Sequence, residues 1–223
     1  MTVSTIARSE LILGGQKSGK SRRAEMLART WLEQSIHHRA VLIATAQPWD
    51  DEMRERIVRH QADRAARVPG MTTVEEPYAL AAALAQHSRA DTLVVVDCLT
   101  LWLTNQLMPC DSDEPRLHPG RTAQRFAQAK EERAGDSEQN AESVCQVAPV
   151  DIEQVAMILG AIQQAPGPVV LVGNEIGLGV IPLGREVRAF VDALGRLNQD
   201  VAAVCQRVTL MAAGLPLFLK NAP

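Results

Sequence analysis

The stretch "LILGGQKSGKS", residues 11–21, passes from an apolar run through a glycine-rich turn to a lysine and a serine. Gly14 is followed by four residues and then by Gly19, Lys20 and Ser21, which is the spacing G-x-x-x-x-G-K-[ST] of a phosphate-binding P-loop. Glycines let the backbone curl so that its N–H groups converge on anionic oxygens, and a helix beginning near Lys20 adds the positive end of its dipole. Gly14, Gly15, Gln16, Lys17, Ser18, Gly19, Lys20 and Ser21 are therefore expected to contact a nucleotide. Lys20 should reach the β and γ phosphates, and the Ser21 hydroxyl should enter the oxygen shell of a magnesium ion. A chance glycine turn ahead of an ordinary helix is the competing reading, and the order of strand, loop and helix speaks against it.

Outward from this loop, short β-rich runs alternate with helical patterns. "ELILGG", "AVLIATA", "TTVEE", "TLVVVDC", "PVVLVGN" and "RVTLMAAG" read as strands. Continuous apolar runs between helices indicate strands buried on both faces of a mainly parallel sheet, hence a P-loop NTPase-type three-layer α/β fold. The longest helix is expected over Gly184–Arg207, where Val187, Phe190, Val191, Leu194, Leu197, Val201 and Val204 recur three or four residues apart as core positions. "VTLMAAGLPLFLK" reads as two strands turned at Gly214, an antiparallel hairpin that finishes the sheet.

Composition bounds the partners. A chain of 223 residues with 46% hydrophobic and only 3% aromatic content suits one domain with an aliphatic, alanine-rich core. Its 23 basic and 26 acidic residues nearly cancel, and no block of Lys and Arg suggests nucleic acid. A small ligand is expected instead. Cys98, Cys110, Cys145 and Cys205 are scattered without a C-x-x-C pair, so reduced thiols in the cytoplasm are expected rather than a zinc site or disulfides. "MTVSTIARSE" lacks the apolar core of a signal peptide, and no run approaches the length of a membrane span. From about Pro109 to Pro149 the sequence is rich in Asp, Glu, Arg, Gln and Ser. This segment, 109–149, is read as a polar, mobile insertion in a single domain covering 1–223, with a partial helix near Gln124–Arg133; a lid is the alternative.

A P-loop needs an acidic partner for its magnesium, and Asp97 closes the apolar strand "TLVVVD". That placement suits a Walker B carboxylate, against the plainer reading of a helix cap for "CLTLWLTNQL". Glu175 ends another buried strand at the same sheet edge, where ligands collect in open α/β folds, and either a ligand contact or a solvated loop carboxylate fits it. In "TAQPWDDEMRERIVRHQADR", Pro48 breaks the chain and Asp50 or Asp51 can cap a helix on which Glu52, Arg56, His60 and Arg64 share one face. His60 would then lie between two guanidinium groups able to grip phosphate and to keep the imidazole neutral and nucleophilic. A solvated helix with Glu52–Arg56 and Arg59–Asp63 ion pairs is the plainer reading.

"GGQKSGKSRRAE", "IATAQPWDDEMRERIVRHQADR", "VVDCLTLWLTN", "GNEIGLGVIPLGREVRAFVDALGRLNQDVAA" and "RVTLMAAGLPLFLK" together resemble the bifunctional adenosylcobinamide kinase and adenosylcobinamide-phosphate guanylyltransferase family of cobalamin biosynthesis. The resemblance implies phosphorylation of the corrinoid aminopropanol hydroxyl by ATP or GTP, followed by transfer of GMP from GTP onto that phosphate with release of pyrophosphate. It also implies a guanylylated histidine, which the pattern D-x-E-M-x-x-R-I-x-x-H places on His60, and a homo-oligomer, the family's trimer. The nucleotide-contacting set expected beyond the P-loop is then Arg56, Arg64, Glu76, Asp97 and Glu175, with Ser21 and Asp97 on magnesium. Lys17 stands where the family has Arg, which keeps the charge but loses a bidentate fork. A simple small-molecule P-loop kinase would give His60 no covalent role, and a non-catalytic nucleotide-binding module would show no turnover.

Overall fold

The structure, a computed structural model, describes residues 6–48, 51–107 and 151–221; the polar insertion and its expected helix lie outside them. The described elements run β1 (Ser9–Gly14), α1 (Lys20–Gln34), β2 (Arg39–Ala44), α2 (Asp51–Arg67), β3 (Met71–Glu75), α3 (Leu80–His87), β4 (Thr92–Asp97), α4 (Leu99–Leu107), α5 (Ile152–Gln164), β5 (Val169–Val172), α6 (Arg185–Val204), β6 (Arg207–Ala212) and β7 (Leu215–Asn221).

The seven strands form one sheet in the order β3-β2-β4-β5-β1-β6-β7. Every pairing is parallel except β6 with β7. The apolar runs of β1, β4 and β5 occupy the centre and bury both faces, as their lack of alternation predicts. Residues alternate between two helical layers. Ile12, Leu42, Val95 and Val170 meet Ala24, Leu27 and Ala28 of α1 and Val68 beyond α2. Leu11, Val94, Val96 and Leu171 meet Leu84 of α3, Trp102 of α4, Ile158 of α5 and Leu194 of α6 on the other face. Right-handed crossovers account for this division: β1 to β2 to β3 steps toward one edge, and β3 to β4 to β5 to β6 steps back. The result is the expected three-layer P-loop NTPase-type fold.

The expected long helix is α6, one residue shorter at its start and three at its end. Leu194, Leu197 and Val201 are buried as anticipated, but Val187, assigned to the core from its spacing, is 52% exposed. It lies in the first turn of α6, next to an exposed loop and before the helix reaches the packed layer. The terminal hairpin turns through Ala213 and Gly214, both with positive φ (51° and 78°), so a two-residue loop joins Ala212 and Leu215. That backbone matches a type I′ turn, whose twist suits the flanking strands.

Beneath the hairpin sits a charged cluster that the strand pattern does not announce. The Glu10 carboxylate, on β1 and 1% exposed, accepts hydrogen bonds from Arg23 Nε (3.0 Å) and Nη2 (2.8 Å), Arg207 Nη1 (3.4 Å) and Thr209 Oγ1 (2.8 Å). The Arg23 and Arg207 guanidinium groups lie 5.4 Å and 5.8 Å from the centre of the Phe218 ring. Buried charge is tolerated here because its oxygens are multiply satisfied. Among the described residues no helix is long and apolar enough to cross a membrane.

Candidate functional site

At the C-terminal end of β1 the chain enters the loop with Gly14 at φ 152°, Lys17 at φ 56° and Gly19 at φ 99°. Successive excursions into left-handed backbone fold amides into a concave, anion-binding turn. The Ser18 N–H donates to the Gly15 carbonyl at 3.3 Å, which closes the turn. Glycine is favoured at two of these positions, Gly14 by space and Gly19 chiefly by its positive φ. A Cβ on Gly14 would lie 2.5 Å from the Met211 carbonyl oxygen and 2.6 Å from Ser18 Oγ, and one on Gly19 would lie 3.3 Å from Gly214 Cα. Gly15 has open space around its Cα.

The wall that crowds these glycines is the end of β6 and the β6–β7 turn, whose Gly214 N–H donates to the Ser18 carbonyl at 3.0 Å. Sequence reasoning placed that turn correctly but gave it no role. Its signal was only the Ala-Gly pair, which announces a turn and not what the turn touches.

Lys20 opens α1 with its side chain buried, and its Nζ donates to the Gly15 carbonyl at 2.6 Å, folding the chain back across the loop. Burial lowers the Lys20 pKa from its ordinary value, opposed by the charges of Cys98 and Asp97. Asp97 is thus within electrostatic reach of the lysine. Its carboxylate caps no amide of α4; the N-cap position there belongs to Cys98, whose sulfur faces the Thr100 and Leu101 amides. The Cys98 thiol is pushed up to about 11, first by burial and then by Asp97, so it is an inert packing group rather than a nucleophile.

Ser21 at the start of α1 and Asp97 at the end of β4 offer a hydroxyl and a carboxylate, oxygen donors whose chemistry suits a hard divalent cation. A buried polar lattice fixes this edge of the sheet. Thr45, fully buried, donates through Oγ1 to the Cys98 carbonyl (2.7 Å) and accepts from the Cys98 N–H (2.9 Å), which ties β2 to the residue after Asp97. Asn105 of α4 donates to the Thr45 and Pro77 carbonyls at 2.8 Å and 3.1 Å. Neither residue was singled out from the sequence; a buried Asn within the apolar run "LWLTNQL" was the available signal.

Glu175 reaches the loop through its backbone, donating its N–H to the Gly14 carbonyl at 3.1 Å, while its side chain accepts the Gly177 N–H at 2.8 Å. Asn174 beside it donates its N–H to Thr100 Oγ1 and is held through its carbonyl by Asn198 of α6. The Glu76 carboxylate accepts the Tyr78 and Ala79 amides at 3.0 Å and 2.8 Å, which supports the start of α3.

The His60 side chain is exposed on α2 and forms no hydrogen bond or ion pair with another described residue, those of the P-loop included. His60 is nine residues beyond Asp51, the first residue of α2, roughly 13 Å along the helix at about 1.5 Å per residue. Arg64 does not flank it either: its guanidinium is buried and donates to Thr73 Oγ1 on β3 at 3.1 Å. The side chain of Arg56 lies outside the described residues. The anticipated Arg59–Asp63 pair is replaced by Arg67–Asp63 at 2.9 Å, and Arg67 also bonds Glu25 of α1 at 2.7 Å.

A glycine-bounded loop at the end of a central parallel strand, a buried lysine at its helix N-terminus and a carboxylate closing the strand next but one define a P-loop nucleotide-binding α/β protein. Residues 10–219 match the model of the cobinamide kinase / cobinamide phosphate guanyltransferase family, and the chain belongs to that family of enzymes. It is 42% identical over 215 residues to the bifunctional adenosylcobalamin biosynthesis protein CobP of Pseudomonas aeruginosa, covering 96% of this chain and 98% of that protein. It is 31% and 30% identical over 210 residues to the bifunctional adenosylcobalamin biosynthesis proteins CobU of Salmonella typhimurium and Escherichia coli, covering 94% of this chain and 98% of each. Among solved structures, the flagellar accessory protein FlaH of Methanocaldococcus jannaschii is a loose match, with a TM-score of 0.46 and 9% identity over 97% of this chain and 80% of that one.

Proposed function

We propose that this chain phosphorylates the hydroxyl of adenosylcobinamide with ATP or GTP and then transfers GMP from GTP to the resulting phosphate, giving adenosylcobinamide-GDP and pyrophosphate. The single observation that carries the phosphate chemistry is Lys20, buried at the start of α1, folded across the Gly15 carbonyl and within the field of Asp97. Gly14 to Ser21 would cradle the triphosphate with Lys20 on its outer oxygens, which favours transfer by charge neutralisation and positioning. A magnesium ion held by Ser21 and Asp97 would neutralise further charge on those oxygens. Arg56, Arg64, Glu76 and Glu175 remain nucleotide-contact assignments for this reading.

The guanylyl half rests on His60, whose side chain is exposed and unencumbered. A ring nitrogen would attack the α phosphorus of GTP, forming a phosphorus–nitrogen bond as the bond to the β-phosphate oxygen breaks and pyrophosphate departs. A phosphate oxygen of the corrinoid phosphate would then displace the imidazole. The reacting atoms must approach to about 3–3.5 Å, so this step needs either an approach of α2 to the sheet edge or an imidazole from a neighbouring subunit, in keeping with a homotrimer. This reading takes residues 1–223 as one domain acting in the cytoplasm.

The test is incubation with GTP labelled at the α or the γ phosphate. Retention of α label alone, lost in acid and stable in mild alkali, is expected, and His60→Ala should abolish it while phosphorylation of adenosylcobinamide continues at a measurable rate. A simple kinase or a nucleotide-binding module would retain no α label.

A further inference from the structure

Two helices carry the two halves of the proposed chemistry, α1 with Lys20 and Ser21 and α2 with His60, and among the described residues one charged bridge joins them. Glu25 lies one turn beyond Ser21 on α1, with its side chain only 5% exposed. Its Oε2 accepts from Arg67 Nη1 at 2.7 Å, while Arg67 Nη2 donates to Asp63 Oδ2 at 2.9 Å. Arg67 is seven residues beyond His60, two turns along the same face of α2. Asp63, one turn earlier on α2, steadies the Arg67 guanidinium fork, and Glu25 ties that fork to α1. The hydrogen bond that Arg67 donates to Glu25, then the Glu25 charge, holds the Arg67 proton more tightly than usual, which fits a fork engaged with a desolvated carboxylate.

Val68, just beyond α2, shares an apolar cluster with Ala24, Leu27 and Ala28 of α1, and such packing is less directional than a guanidinium fork. We propose that the Glu25–Arg67–Asp63 bridge is a positioning device that sets the stance of α2 on the P-loop helix and so governs how His60 reaches the nucleotide. It touches neither nucleotide nor corrinoid. The proposal rests on the reading of His60 as the guanylylated nucleophile.

The experiment measures two rates on each full-length variant: acid-labile α-label uptake from GTP, and phosphorylation of adenosylcobinamide. The double variant Glu25→Gln with Arg67→Met removes both charges without leaving a buried ion unpaired. It should keep the phosphorylation rate within about twofold while label uptake slows about tenfold or more, since a misplacement on the order of 1 Å costs up to about a hundredfold. Equal losses in both rates, or label uptake at the wild-type rate, would overturn the proposal. Arg67→Lys serves if the double variant does not fold: it keeps a cation opposite Glu25 but not the fork, and should slow label uptake about threefold with phosphorylation unchanged. Unchanged label uptake in that variant would likewise overturn it. Wild type and His60→Ala are run alongside. Label surviving in His60→Ala removes the nucleophile reading and this proposal with it, whereas label lost there but undiminished in the bridge variants removes the bridge alone.

Discussion

Replacing Glu10 by Gln tests how much of the fold hangs on one buried carboxylate. Glu10 is 1% exposed and bonds two guanidinium groups and a hydroxyl, from α1 and β6, on either side of β1. Glutamine has nearly the same shape but no charge, and its amide hydrogens would have to face one of the two arginines. Breaking a buried ion pair by removing one partner costs about 3–5 kcal/mol. The Oε1 acceptor that serves Arg23 and Thr209 can survive in the amide, so the lower end, about 3 kcal/mol, is the expected loss. At about 2–4 °C per kcal/mol for a chain of this size, the midpoint of thermal unfolding should fall by about 6–12 °C. The assay is thermal unfolding followed by circular dichroism at one protein concentration and scan rate, with Arg29→Gln as a control. Arg29 pairs with Glu33 on the exposed surface of α1 and should shift the midpoint by less than about 2 °C. A Glu10→Gln midpoint as little changed as that control would refute the claim that the cluster couples α1 and β6 to β1.

Lys20→Ala should remove both phosphorylation and guanylyl transfer while leaving the unfolding midpoint within a few degrees; undiminished turnover would remove the phosphate-site assignment. Alanine at Gly14 should lower the midpoint and abolish nucleotide binding because its Cβ meets Met211 and Ser18, whereas alanine at Gly15 should be tolerated to within about 1 kcal/mol. Calorimetric titration with nucleotide checks the ranking, and a reversed order would contradict it. Cys98 and Cys205 should resist iodoacetamide in the native protein at pH 8, because burial lifts their thiols to about 11 and about 12. With the pKa raised, the reactive thiolate becomes scarcer at a given pH, from about a tenth for an ordinary thiol to about one in a thousand for Cys98, and peptide mass mapping of either cysteine alkylated at an ordinary rate would disprove it.

The features legible in the sequence were those whose cause is local. The P-loop spacing, the apolar runs of β1, β4 and β5 and the turn at Gly214 each rest on a few adjacent residues, and each appears where expected. What could not be read were pairings between residues distant in sequence. Glu10 meets Thr209 across 199 residues, and Asn105 reaches Thr45 across 60, so no periodicity of either segment betrays them. Arg64 illustrates a different failure. Helical spacing put it beside His60, but spacing cannot tell that β3 offers Thr73 to a side chain turned inward. Val187 kept the period of its helix and lost its burial, because period reports a face and not how far along the helix the neighbouring layer extends.

The position of β1 carries a consequence for how the protein is made. Although it is the first strand, both of its neighbours come late, β5 from residue 169 and β6 from residue 207, and the turn that walls the P-loop follows at Ala213 and Gly214. During synthesis the nucleotide-binding motif therefore leaves the ribosome long before anything exists to hold it in shape. At about 5–20 residues per second the wait is on the order of 10–40 s, during which "LILGG" is an unpaired apolar strand. An incomplete chain ending before β6 would carry every residue of the motif and still lack the wall that shapes it.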